Sequence, residues 1–472
     1  MDLDNSVNLA ARLAQVLGPE SVLTAAADRE RFLVEERGLY RGAARIVIVP
    51  RDAQALSRAV ALCADAGVAM VPQGGNTGLA GGAVAGADEV LVSLSRLNRI
   101  REIDPVNFTI TVEAGVILAD LQAAAHEAGC LFPLSLGAEG SCTIGGNIAS
   151  NAGGVGVLRY GNTRELTLGL EVVLPDGQLW NGMRPVLKDN SGYSLKNLFI
   201  GSEGSLGIVT AAVLKLFPRP RQIETAYCAL PSVEAALTLL GLARQRSGDM
   251  VSAFELMSQF SLSIVTRHAG GQAPFAVQAP WYALIELSTS CEGEELRGLF
   301  ETILEEAYAQ ELISDALIAT SSEQSRKLWA LREGIPEAQK RAGGSIKHDI
   351  SVPVSSIPAF IATAGAAVEE YMPGIRLCAF GHVGDGNIHY NFTQPEAMEK
   401  QVFLSHWHAI NDIVHPIAMR MHGSISAEHG IGLLKAEEII RHRAPVEEQL
   451  MRAIKTAIDP RNLMNPGKTV LA

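Results

Sequence analysis

Residues Ser135 to Gly154 read SLGAEGSCTIGGNIASNAGG, with six glycines and Glu139 as the one charge. Such a stretch is too glycine-rich to make a good helix or strand, and too apolar for a disordered linker. Glycine at this density lets backbone approach a ligand closely, and its free N–H groups can cradle a phosphate. A second stretch of the same character lies upstream, PQGGNTGLAGG from Pro72 to Gly82. Two separated glycine loops point to one large, phosphate-bearing ligand held between them. The plain alternative is a pair of tight turns in an ordinary α/β domain.

Working outward, the order is helix, strand, glycine loop. Helical apolar spacing covers Asn8 to Leu17 and Thr24 to Phe32, and Ala44 to Pro50 reads as a strand closed by proline. Asp52 to Ala66 reads as an amphipathic helix stopped by Gly67, and Val68 to Val71 as a strand running into the first loop. Strands are expected at Glu89 to Leu94 and Thr109 to Glu113, and a helix at Ile117 to Ala128 leads into the second loop. A strand at Leu168 to Leu174 precedes a third glycine cluster, GSEGSLG at Gly201 to Gly207, which feeds the strand Ile208 to Phe217. Pro218 and Pro220 then mark a domain boundary.

Beyond Pro220 the rhythm becomes longer strand–helix units. Strands are expected at Thr225–Leu230, Ala253–Leu256, Trp281–Leu287 and Ser345–Val352, with a strand pair over 376–393. Helices are expected at Val233–Arg246, Glu294–Ala309 and Ser322–Ala342. The pattern suggests an antiparallel sheet covered by helices on one face. Glu437 to Ile458 reads as mostly helical, ahead of the tail Asn462 to Lys468.

The chain has 472 residues, about three typical domain lengths. Its 39 basic and 51 acidic residues give a net charge of −12, which argues against nucleic acid or an anionic membrane as main partner. No apolar run is long enough to span a bilayer, and the N-terminus has no apolar secretory core. Cys63, Cys130, Cys142, Cys228, Cys291 and Cys378 are scattered without a CxxC pair, so a reduced, cytoplasmic chain is expected.

A nicotinamide cofactor would call for GxGxxG, and a P-loop for GxxxxGK[ST]; none of the three clusters has either form. A dinucleotide extended across several loops favours FAD. The combination PQGGNTGLAGG, PLSLGAEGSCTIGGNIASNAGG and GSEGSLGIVT resembles the flavoprotein family of vanillyl-alcohol oxidase and p-cresol methylhydroxylase (PCMH). Over about Gly42 to Lys468 the chain resembles the FAD-linked D-2-hydroxy-acid dehydrogenases in particular, and within them the branch acting on D-2-hydroxyglutarate.

That resemblance implies an α+β protein with a PCMH-type FAD-binding domain, an α+β cap and a C-terminal helical segment returning to the flavin. The divisions expected are an N-terminal helical segment at 1–40, the FAD domain at 41–218, the cap at 219–425 and the closing segment at 426–472. The implied FAD contacts in the first loop are Pro72, Gln73, Gly74, Gly75, Asn76, Thr77, Gly78 and Leu79. In the second they are Ser135, Gly140, Ser141, Gly146, Asn147 and Ser150; Gly204, Ile208, Val209 and Asn465 complete the set. Relatives with covalent flavin carry a His or Cys in these loops. Only Cys142 is available here, so FAD is expected to be non-covalent.

Chemistry is concentrated further on. His382 and His389 stand seven residues apart, and on one continuous strand an odd spacing would send them to opposite faces. Gly384-Asp385-Gly386 breaks the strand into a turn, so that both imidazoles can converge. Glu428 and His429, beside glycines in Ser426 to Gly432, add a carboxylate and a third imidazole. Two imidazoles and a carboxylate suit a borderline divalent ion, zinc first; the alternative is a set of hydrogen-bonded core histidines. By resemblance His382, His389 and Glu428 are metal ligands and His429 is the general base. His406, His408, His415 and His422 lie in a helical stretch and are given no chemical role.

The same resemblance makes Arg332, Lys347 and Asn391 the substrate-binding residues, although Asn391 could equally satisfy nearby backbone. Where relatives often carry a hydroxyl residue between Arg332 and Lys347, this chain has Pro336, one possible bond fewer to a distal carboxylate. The expected activity is oxidation of a D-2-hydroxy acid to the 2-oxo acid, D-2-hydroxyglutarate ahead of D-lactate, D-malate or glycolate. Reoxidation by an electron-transfer flavoprotein or a quinone is expected, and a homodimer is allowed. An oxygen-using oxidase, or an electron-relay FAD subunit such as a glycolate-oxidase component, are the rival readings.

Overall fold

The computed structural model describes residues 3–293 and 295–471. The chain divides into two compact units. The first comprises Met1–Gly153, Gly161–Arg219 and Glu428–Ala472; the second comprises Gly154–Tyr160 and Pro220–Ala427.

In the first unit a parallel sheet is built from Ile46–Ile48, Val90–Ser93 and Met70–Gln73, with Val22–Leu23 added antiparallel at one edge. Helix Ala53–Ala66 covers it. Asp52 caps the helix by accepting the Ala55 N–H at 2.7 Å, and Gly67 ends it in the left-handed region at φ 67°. Its Leu56, Ala59, Val60 and Cys63 are buried against Leu9, Leu13 and Leu17 of the preceding helix Leu3–Leu17. The strand Met70–Gln73 delivers the first glycine loop at its carboxyl end, where α/β sheets characteristically receive ligands. Outside that strand runs a downstream segment: Met464 bridges Met70 in parallel, and the Asn465 N–H donates to the Met70 carbonyl at 2.8 Å.

A second sheet in this unit is antiparallel, in the order Ile100–Asp104, Thr109–Glu113, Ile208–Lys215, Thr167–Val173, Leu179–Gly182. The strand Ile100–Asp104 was not expected from sequence, because Arg101 and Glu102 face solvent and hide its pattern. A larger departure lies inside the decisive stretch itself. Ile144–Ser150, in the region read as too glycine-rich for a helix, is a helix. Burial of Ile144 and Ile148 outweighs the poor propensity of its two glycines. A Cβ on Gly145 would meet the Ala114 Cβ at 2.6 Å, so glycine is what lets this helix close on the sheet.

Glu113 ties this second sheet together. Its buried carboxylate accepts the Arg99 N–H at 3.0 Å and the Arg99 guanidinium at 2.8 Å, with Arg101 at 3.3 Å. Burial pushes its pKa up, but the Arg99 hydrogen bonds and the two guanidinium charges outweigh that and hold it below the ordinary value. A depressed carboxylate contributes stability above its unfolded-state pKa, and that contribution disappears as pH falls through the folded value. Glu113→Gln should therefore cost about 2 kcal/mol at neutral pH. Thermal melts should show the gap between variant and parent closing as the pH drops below about 4.5.

The second unit is organised on a sheet in the order Asp315–Ile318, Gln222–Leu230, Trp281–Thr289, Val251–Ser258, Arg376–His382, Asn387–Thr393, Ser345–Ile346. Asp349–Ser351 also pairs with Asn387–Thr393, and all these pairings are antiparallel. Helices cover both faces, not one. On one side Phe380 and Cys378 pack with Leu328, Leu331 and Ile335. On the other, Tyr390 packs on Phe360 at 5.0 Å and donates its hydroxyl to the Ile361 carbonyl. The clue is the strand Val251–Ser258, buried at every position, as strands covered on both faces are.

Gly334 and Pro336 split the expected helix Ser322–Ala342 into Ser322–Glu333 and Ile335–Ala342. The expected helix from Glu294 begins at Leu296, with Glu294 itself outside the described residues. No helix among the described residues is long and apolar enough to cross a membrane.

Candidate functional site

Three glycine loops of the first unit line a single cleft. Pro72, Gly74, Gly75, Asn76, Thr77 and Gly78 come from the first loop, and Gly146, Asn147 and Ser150 from the second. Gly204, Ile208 and Val209 come from the third, and His429 reaches the cleft from the chain's last segment. Other residues expected here lie off the lining. Gln73 turns into the fold, its amide donating to the Phe32 carbonyl at 2.9 Å. Leu79 accepts from Arg37 through its carbonyl, Ser135 is half-buried, and Gly140 and Ser141 are exposed. Asn465 braces two loops instead, its amide donating to the Gly82 carbonyl at 2.9 Å and the Glu203 carbonyl at 2.6 Å.

The cleft is formed by backbone at very close range. A Cβ on Gly74 would strike the Thr143 hydroxyl, and one on Gly75 the Ser141 carbonyl oxygen. Thr143 and Glu35 line the cleft, and their Oγ1 and Oε1 atoms are buried with no hydrogen-bond partner among the described residues. Buried polar atoms ordinarily have partners. A long ligand bearing hydroxyls and N–H groups as well as phosphates would supply them, so these residues fit an extended dinucleotide. Cys142 also lines the cleft; burial raises its thiol pKa, and the Asn147 amide lies 3.6 Å from its sulfur.

Glu203 was not singled out by sequence reasoning, yet it holds the His429 turn. Its carboxylate accepts the Ile431 N–H at 2.6 Å and the Gly432 N–H at 2.8 Å. Gly430 and Gly432 adopt φ of 76° and 50°, and a Cβ on Gly432 would strike the Ala80 carbonyl. Burial raises the Glu203 pKa, which those backbone donors partly offset.

The second unit gathers its polar residues on one sheet face. In register, Glu255 stands opposite His382, Phe380 opposite His389, and Cys378 opposite Asn391, so their side chains share that face. The short 3-10 turn Val383–Asp385 and Gly386 at φ 91° reverse the chain, and the His382 and His389 rings lie 5.8 Å apart. Glu255, fully buried, bonds His382 Nδ1 at 2.5 Å and Arg332 Nε at 2.6 Å. Burial alone would raise the Glu255 pKa; the interactions with His382 and Arg332 outweigh it and hold the carboxyl below its ordinary value.

Arg332 is itself buried, its guanidinium carbon 4.8 Å from the centre of the Phe380 ring. Lys347 is half-buried, and its charge together with that of Arg332 acts on the buried Cys378 thiol. Asn391 is committed to its neighbours: its Oδ1 accepts the His348 N–H at 3.0 Å and its Nδ2 donates to Gln339 at 3.1 Å. The first of these bonds is to backbone and the second to a side chain. Gln339 and Glu255 went unnoticed in the sequence, since neither stands in a motif. Glu428 belongs with His429 to the first unit. The preceding residue, Ala427, donates its N–H to the Asp349 carbonyl at 3.2 Å, and Asp349 pairs with His389. Of the histidines given no role, His406 bonds the Tyr371 hydroxyl at 2.7 Å and His415 packs edge-on against His348.

Residues 44–182 match the family described as "FAD binding domain", and residues 219–469 match "FAD linked oxidases, C-terminal domain". A D-2-hydroxyglutarate dehydrogenase of Xanthomonas citri pv. viticola is 42% identical over 403 residues, 85% of this chain and 84% of its own. A mitochondrial D-2-hydroxyglutarate dehydrogenase of Arabidopsis thaliana is 36% identical over 460 residues, 97% of this chain and 80% of its own. The crystal structure of p-cresol methylhydroxylase with substrate bound superposes with a TM-score of 0.79 at 17% identity. It covers 100% of this chain and 98% of its own, a likeness of fold.

Proposed function

Because the chain belongs to the FAD-linked oxidase family, together with the D-2-hydroxyglutarate dehydrogenases, we propose that it oxidises D-2-hydroxy acids to 2-oxo acids with FAD as cofactor. D-2-hydroxyglutarate is the preferred substrate in this reading. The observation that carries it is His429 lining the same cleft as the three glycine loops. An imidazole there stands ready to take a hydroxyl proton beside the cofactor.

When bound, FAD supplies the acceptor for the hydride on C2, and a divalent ion, zinc by choice of ligands, supplies positive charge at the hydroxyl. His382, His389 and Glu428 are the proposed ligands, two imidazoles and a carboxylate being a donor set that suits a borderline divalent ion. Arg332 and Lys347 hold the carboxylates, Arg332 through the guanidinium nitrogens that Glu255 leaves available. Asn391 supports His348 and Gln339, and through them the floor of the substrate site. His429 removes the hydroxyl proton at its unprotonated ring nitrogen. A buried Cys142 thiol with a raised pKa is a poor nucleophile, which supports non-covalent FAD.

In this reading residues 41–218 serve the cofactor and 219–425 form the cap, and a separate electron-transfer flavoprotein or quinone reoxidises the flavin. Pro336, in the first turn of Ile335–Ala342, favours a second reading in which shorter acids such as D-lactate or D-malate are used. Anaerobic mixing with a panel of 2-hydroxy acids of both configurations tests the proposal. D isomers should bleach the visible flavin band, D-2-hydroxyglutarate fastest, and prior chelation should slow bleaching. Bleaching by L isomers alone overturns it.

A further inference from the structure

We propose that Glu255 is a positioning residue that sets the anion clamp and the first metal imidazole from one buried carboxylate; this rests on the function proposed above. Glu255 lies in the middle of Val251–Ser258, fully buried and directly opposite His382 in the sheet. A carboxylate in such a place is costly unless each oxygen is matched. Here each oxygen has its own partner, Oε1 the His382 Nδ1 and Oε2 the Arg332 Nε.

Two consequences follow from the chemistry of the donors. A carboxylate only accepts, so His382 carries its proton on Nδ1 and keeps the Nε2 lone pair for an ion. Arg332 is tied back through Nε, and its planar group is fixed over Phe380, which also meets the His389 ring at 4.9 Å. The clamp and the His389 imidazole thus share one aromatic ring, and the His382 ring lies 5.8 Å from that of His389. Ion affinity and substrate affinity should respond together when that carboxylate changes.

The experiment is zinc titration of the holoenzyme against a chromophoric chelator, with FAD content and melting temperature recorded for each protein. In Glu255→Gln the amide nitrogen meets either Arg332 or His382; facing His382 Nδ1 it forces the proton onto Nε2. Zinc affinity should fall about tenfold to hundredfold, and KM for the hydroxy acid should rise more than kcat falls. Glu255→Asp, which keeps the charge, should recover part of both. The double variant Glu255→Leu/Arg332→Met removes both charges, protecting the fold from an unpaired buried guanidinium, and should also lose zinc affinity. If folded Glu255→Gln and the double variant both bind zinc as the parent does, the inference is overturned. If the parent itself binds no zinc, the metal reading fails instead, and the two failures are told apart.

Discussion

Replacing His429 by asparagine is expected to lower kcat by about 10²–10⁴-fold while the protein stays yellow. Asparagine keeps a similar polar outline but cannot accept a proton near neutral pH. The turn that carries residue 429 has anchors other than the imidazole. It is held by Glu203 through the Ile431 and Gly432 N–H groups and by glycines at 430 and 432 in the left-handed region. FAD content should therefore match the parent while the reductive half-reaction slows. The parent should also gain activity as pH rises through the titration of its base, since the unprotonated ring is the working form; the variant should lose that limb. Stopped-flow reduction by the D-hydroxy acid over a pH series measures both. Reduction within tenfold of the parent would remove His429 from the chemistry.

Gly75→Ala is expected to give protein with little or no bound flavin. The added methyl would lie against the Ser141 carbonyl oxygen and 3.0 Å from Cys142 Cα, and both are backbone, which cannot swing aside. Forcing the two loops apart costs about 1–3 kcal/mol, a loss of about tenfold to hundredfold in affinity. A flavin spread across several loops needs them all in register, so the loss should reach the upper end. Gly78→Ala is the control: it belongs to the same loop, lines the same cleft, and has nothing within 4 Å of the added Cβ. The ratio of visible to ultraviolet absorbance, and FAD titration of stripped protein, should separate the two variants cleanly.

How much of this was legible beforehand depends on the range of the physics involved. The glycine loops announce themselves because close backbone approach needs glycine at every such point, and the residues lie together in sequence. The hairpin joining His382 to His389 was readable from Gly384-Asp385-Gly386 for the same reason. The helix Ile144–Ser150 was not, because its stability comes from burying Ile144 and Ile148 and from close packing on Ala114, not from helix propensity. Arg332 read as a substrate clamp from its context, but its partner Glu255 lies 77 positions away, on a strand whose pattern says only that it is buried. Glu203 looked like one more letter in GSEGSLG. Its bonds to Ile431 and Gly432 cross 228 and 229 positions, nearly half of the chain. Both carboxylates are structural organisers whose meaning appears only once distant segments meet.

The brace made by Asn465 has a bearing on biosynthesis. It grips the Gly82 carbonyl across 383 positions and the Glu203 carbonyl across 262. While a ribosome is still adding residues up to that asparagine, the glycine loops emerge without their clasp, and the pocket for the dinucleotide stays open on one side. Cofactor capture is then expected to follow synthesis of the segment that carries Asn465, with yellow colour reporting that the clasp has closed.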